Sequence, residues 1–202
     1  MSGNLAGILV VLICSLAGFA QPFAPIHLLF INLLTDSLPA IALGLEPHSD
    51  EVMNRKPRPS KESILTGDFL GQVGLSGVCI ALASLAAYMI GWFCYGSSGL
   101  AMTLAFAVLC MSRLWHGFSC KSEKPVIFTK KMFNNPAALI AFIVGMIIVN
   151  AVLFIPACHG IFKIDPAVTI GIIGIAHGLS FCSMLLVQCI KGIVSAVKTK
   201  NK

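Results

Sequence analysis

Charge is what this chain of 202 residues has least of. Charged side chains make up 11% of it, against roughly 25% in a soluble globular domain. That deficit excludes an ordinary water-soluble fold. The eight cysteines include no C-x-x-C pair and no zinc-ligand spacing. Most of them sit in apolar runs, as small buried hydrophobes do. The formal net charge of +6 does not point to nucleic acid, because the basic residues flank apolar segments, where they set membrane topology. There is no internal repeat of the kind that builds a self-contained inverted-repeat carrier.

What the chain has is hydrophobicity, 57% of its residues, gathered into six apolar segments at about 5–20, 26–46, 67–95, 99–120, 136–157 and 166–190. Residues 46–66 and 121–135 are polar loops, 159–166 is a short polar turn, and the chain ends in a lysine-rich tail. Arg55, Lys56, Arg58 and Lys61 follow the second segment; Lys121, Lys124, Lys130 and Lys131 follow the fourth; Lys191, Lys198, Lys200 and Lys202 lie in the tail. These are twelve of the fourteen basic residues, so the positive-inside rule places both loops and both termini in the cytoplasm. The first segment ends in Gly18-Phe19-Ala20, which has signal-peptidase character, but no positive charge precedes it. Gly67, Gly71, Gly74 and Gly77, with Ala81, suggest a helix face made for close approach. Cys94 and Cys158 both fall near the outer ends, leaving a disulfide between them open. His27, His116, His159 and His177 pair with no other ligand at metal spacing and read as packing or interfacial residues.

The second segment is unusual. Asn32, Thr35 and Asp36 stand at i, i+3 and i+4, on one helix face. They present an amide oxygen, a hydroxyl and a carboxylate at one level. Pro39 lacks an N–H and its ring clashes with the carbonyl of Thr35, so the helix should be distorted there with backbone oxygen freed. Hard cations take oxygen ligands of these kinds, and broken helices with a mid-membrane acid are how transporters build ion sites. Asn and Thr alone often only tie membrane helices together. Asp36 is different, because a carboxylate at a helix centre costs about 2.5–3.5 kcal/mol on insertion scales and needs a partner.

The run Asn32-Leu-Leu-Thr35-Asp36-Ser-Leu-Pro39-Ala-Ile-Ala-Leu-Gly44, followed by Arg55-Lys-Pro57-Arg-Pro59 and Lys61-Glu-Ser-Ile-Leu, resembles the sixth membrane helix and following loop of calcium-transporting P-type ATPases. The remainder resembles that family's C-terminal transmembrane domain, making residues 1–202 one such domain, its fifth to tenth helices. The resemblance implies an all-α membrane protein, a bundle of six transmembrane helices with the second unwound near Asp36–Pro39. It also implies metal ligands: Asn32 and Asp36 match the sixth-helix ligands of the site kept in single-ion members, Thr35 matches a ligand of the second site, and Asn4 matches the fifth-helix asparagine, 28 residues before Asn32. Two departures stand out. The fifth-helix glutamate of two-site pumps falls at Gly7, and the eighth-helix acid falls at Arg113. The pattern is closer to plasma-membrane-type and bacterial pumps that move one calcium ion per cycle.

The family's DKTGT, TGE and PEGLP motifs do not occur in this chain. The chain is therefore expected to be a fragment or one product of a split gene, unable to hydrolyse ATP alone. Ca²⁺ is expected as the transported ion, Mg-ATP as a cofactor only through the missing domains, and the bilayer and those domains as partners, with no nucleic acid. The cell membrane is the expected location. Oxygen ligands also suit Mg²⁺, Mn²⁺ or Na⁺, and a non-catalytic membrane scaffold or a small autonomous cation channel or carrier are the alternatives. Counting from the outer face at about 1.5 Å per residue puts Arg113 about 20 Å deep and Asp36 about 15 Å deep. Arg113 either snorkels to the inner face or turns inward as a built-in counter-cation that pairs with Asp36 once the ion has left.

Overall fold

The computed structural model describes residues 1–46, 65–122, 125–126 and 129–200. The motif residues from Arg55 to Ile64, with Lys124 and Lys202, lie outside the described residues. The described residues are helical throughout: α1 (Ser2–Leu16), α2 (Pro25–Phe30), a π-turn (Ile31–Thr35), α3 (Ser37–Gly44), α4 (Gly67–Met89) with a π-turn (Ile90–Cys94), α5 (Ser98–Ser119), α6 (Lys130–Phe133), α7 (Pro136–Phe154), α8 (Pro156–Phe162) and α9 (Ile170–Lys200). Among the described residues, five stretches are long and apolar enough to cross a membrane: Pro25–Gly44, Phe69–Cys94, Ser98–Ser119, Pro136–Phe154 and Ile170–Val197. Ser2–Leu16 is a shorter apolar helix beside them. The chain is an integral multi-pass membrane protein.

Helix starts follow local chemistry. Thr66, Ser97 and Asn135 cap α4, α5 and α7 with side-chain oxygens that accept from Phe69, Leu100 and Ala138 N–H. Pro25, Pro136 and Pro156 stand in the first turns of α2, α7 and α8, where a missing N–H is harmless. Pro156 also ends α7 and starts α8, a helix where the sequence suggested the end of a span and a turn.

The centre of the bundle is α5, buried along nearly its whole length. Its small residues, Ala101, Ala105, Ala107 and Ser112, let neighbours come close, and α4, α9, α7, α3 and α1 pack around it. Outward-facing side chains such as Leu29, Leu33, Ile140, Ile147 and Ile193 are apolar and exposed, the inverse of a soluble surface and suited to lipid. Of the four glycines of α4, only Gly77 mediates a close approach, to Leu5 and the Ser2 carbonyl of α1; Gly67, Gly71 and Gly74 face open space. Cys94 and Cys158 are free thiols.

The tightest crossing is elsewhere. A Cβ on Gly91 would run into the Ala101 Cα and lie 2.5 Å from the Ala101 nitrogen. These are backbone atoms of the central helix and cannot turn aside. Gly91→Ala is therefore expected to destabilise the bundle by about 1–3 kcal/mol or more. Thermal unfolding in detergent, with Gly71→Ala as the silent comparison, measures it. An unchanged melting temperature for Gly91→Ala would mean that α4 and α5 can separate at little cost.

Candidate cation site

The broken helix is held at both ends. At its outer end His27 is fully buried. Its ring lies 4.2 Å from that of Phe106, nearly parallel. Its Nδ1 accepts from Ala24 N–H at 3.2 Å, so Nε2 carries the proton and donates to the Phe162 carbonyl. At the inner end the buried Asn135 Nδ2 donates to Ala42 O at 2.9 Å and to Glu46 Oε2 at 2.7 Å. Lys121 adds an ion pair to Glu46 at 3.4 Å. Between these anchors the helix widens. Asp36 N–H reaches back five residues to Ile31 O at 3.2 Å, and Thr35 Oγ1 donates to the same carbonyl at 2.7 Å. The α-geometry resumes when Ala40 N–H bonds Asp36 O. The distortion thus lies one turn before Pro39, as a π-turn with Asp36 at its exit, and not as an unwound stretch. π-Turns of this kind concentrate at functional sites.

Arg113 comes to this turn from α5. Its side chain is 4% exposed, and Nη1 lies 2.9 Å from Asp36 Oδ2, whose side chain is 38% exposed. Nη2 donates to Asn4 Oδ1 at 2.7 Å. The inward orientation, and not snorkelling, is what the structure shows. The guanidinium bridges α1, the π-turn and α5. Nε and Nη1 have no aligned hydrogen-bond acceptor among the described residues, so a buried cation is held mainly by charge and shape.

The predicted site residues divide around it. Asp36 and Thr35 line a cavity of about 330 Å³ together with Pro39, Arg113 and His116. Asn4 and Asn32 line a separate, mostly apolar groove of about 610 Å³ between α1 and α2, floored by Leu109 and Arg113. Asn32 is exposed to that groove, and Thr35 is buried with its hydroxyl spent on its own backbone. Arg113 borders both spaces. The π-turn interrupts the regular i, i+3, i+4 face, and Asn32 and Asp36 line different cavities. Among the described residues no three His, Cys, Asp or Glu side chains converge. A cation here would rest on one carboxylate, Asp36, and on neutral oxygens. The oxygens of Asp36 and Asn4 that would face it now face a guanidinium, a fit to positive charge at that point.

Gly3 is a contact that sequence reasoning missed. It is buried beside the Arg113 side chain, and only knowledge of where Arg113 goes could have marked it. His177 pairs with Asn150 at 3.1 Å and His159 with the Leu153 carbonyl, both ties within the C-terminal helices. Lys191, read as part of the tail, is instead buried in α9 and donates to Ser119 O and Ser122 O at 2.6 and 3.0 Å, at the C-terminal end of α5 where positive charge is favourable.

Comparison with known proteins gives a consistent picture. Residues 20–193 match the family model described as cation transporting ATPase, C-terminus. A calcium-transporting ATPase of Bacillus cereus is 32% identical over 207 residues, covering 95% of this chain and 23% of that protein. One of Listeria monocytogenes is 32% identical over 194 residues, covering 94% and 21%. One of Bacillus subtilis is 34% identical over 163 residues, covering 80% and 18%. The chain thus spans about a fifth of the length of the relatives it matches.

Proposed function

Because the chain belongs to the cation-transporting ATPase C-terminal family, we propose that it forms the membrane part of a calcium-translocating P-type ATPase and contributes half of the ion site. The observation that carries this reading is the Asp36–Arg113–Asn4 bridge at the exit of the π-turn. A lone intramembrane carboxylate is costly, and here it is kept opposite a permanent cation. In this reading Asp36 is the anionic ligand, Asn32, Asn4 and Thr35 supply neutral oxygens, and the groove between α1 and α2 receives the helix that brings the remaining ligands. Calcium is the substrate. Mg-ATP acts through domains that this chain lacks, whether joined to it or separately encoded. Residues 1–202 are one domain of that pump, set in the cell membrane with both ends in the cytoplasm.

Arg113 serves as the built-in counter-cation. It occupies the place of the eighth-helix acid of two-site relatives, fills the second ion position, and neutralises Asp36 when calcium has left. One calcium per cycle follows.

Autonomy is the test. The purified chain in liposomes should not be phosphorylated by ATP, should show no calcium-stimulated ATP hydrolysis, and should pass no calcium down a gradient. Turnover by this chain alone would contradict the division of labour proposed here; passive calcium flux would favour a channel instead.

A further inference from the structure

Gly3 sits one residue before Asn4 on α1 and is buried. A Cβ at this position would press on Nε of Arg113, lie 2.7 Å from its Cζ and 3.0 Å from its Cδ. The three nearest atoms all belong to that one side chain. The guanidinium therefore crosses the α1 backbone through the space a side chain would take. No other glycine of α1 does this: at Gly7 the nearest atom is Leu109 Cδ2 at 3.8 Å, an ordinary contact. The packing of α1 on α4 is not the reason either: the close contact there is made by Gly77 against Leu5 and Ser2, and none of the atoms nearest Gly3 belongs to α4.

The polar contacts alone would not fix Arg113 there. Of its donors, Nη2 has a good acceptor in Asn4 Oδ1, Nη1 meets Asp36 without hydrogen-bond alignment, and Nε has no acceptor among the described residues. Shape supplies what hydrogen bonding does not. We propose that Gly3 is a positioning residue: it opens the passage that seats the Arg113 guanidinium against Asp36 and so fixes the second ion position as filled. This rests on the reading of Asp36 and Arg113 as the ion site. It places the determinant of stoichiometry in a pair, Gly3 with Arg113, and not in the arginine alone. An arginine on α5 facing any side chain at position 3 would be pushed off Asp36.

The test uses the full-length pump and reads calcium-dependent phosphoenzyme formation in wild type, Gly3→Ala, Arg113→Ala, the double variant and Gly74→Ala, whose added methyl meets open space. Gly3→Ala should shift half-saturating calcium in the same direction as Arg113→Ala, by at least about fivefold, and the double variant should match Arg113→Ala within about twofold, because contacting residues that act through one another are non-additive. Gly74→Ala should match wild type. Alanine is a better helix former than glycine, so a folding defect would have to come from the clash. If Gly3→Ala fails to accumulate while the double variant folds, the clash with Arg113 is confirmed directly. Wild-type calcium dependence in Gly3→Ala would overturn the proposal, as would a Gly3→Ala shift that persists in full on top of Arg113→Ala. An Arg113→Ala pump with unchanged calcium dependence would overturn the ion-site reading itself, whatever Gly3 does.

Discussion

In the proposed full-length calcium pump, Asp36→Asn should abolish calcium-dependent phosphorylation while the protein still inserts. The substitution keeps the size of the side chain and one oxygen, and removes the only carboxylate among the described residues of the cluster. A hard divalent cation draws most of its binding from anionic oxygen, and close charge pairs out of water couple by about 1.5–7 kcal/mol. Half-saturating calcium should therefore rise by about a hundredfold or more, at 1.4 kcal/mol for each tenfold. Insertion of the span should not suffer, because an amide avoids much of the roughly 2.5–3.5 kcal/mol charge penalty at a helix centre, although folded stability should fall because the buried Arg113 guanidinium loses its partner. Normal calcium uptake by this variant would remove Asp36 from the ligand set.

Arg113→Ala should act in the opposite direction. On the proposed reading, a cation arriving at Asp36 in the wild type has to replace an ion pair at 2.9 Å and leave a buried guanidinium behind. With the guanidinium gone, the calcium-free state holds an uncompensated carboxylate, and calcium relieves it. Apparent calcium affinity should rise by about tenfold or more, within the range measured for buried charge pairs. Insertion should be intact, since the substitution removes an expensive charge from the centre of a span. Calcium titration of phosphoenzyme formation measures the shift. An unchanged midpoint together with unchanged proton coupling would return Arg113 to a purely structural role.

The spans were legible because each is a long apolar run bounded by polar, basic loops. The candidate site drew attention for the same kind of reason: Asn32, Thr35, Asp36 and Pro39 are costly residues in that setting. Depth arithmetic alone put Arg113 near Asp36, and the structure joins them. Other features depended on tertiary contact. Pro39 announced a distortion beside Thr35 and Asp36; its form, a π-turn in which the Thr35 hydroxyl and Asp36 N–H converge on one carbonyl, was not legible. Asn32 and Asp36 line different cavities, which the spacing could not show. The glycine stripe of α4 looked like a packing face, but three of its four members face open space. Gly91 and Gly3 make the close approaches that matter. Nothing in their local sequence distinguishes them, because what each one faces, a helix backbone or an arginine, comes from far along the chain.

Equilibrium calcium binding to the purified full-length pump, in the absence of ATP, tests the central claim most directly. One calcium should bind per wild-type pump, none at the same concentrations in Asp36→Asn, and binding should be tighter in Arg113→Ala. Two calcium ions per wild-type pump, or undiminished binding in Asp36→Asn, would contradict it.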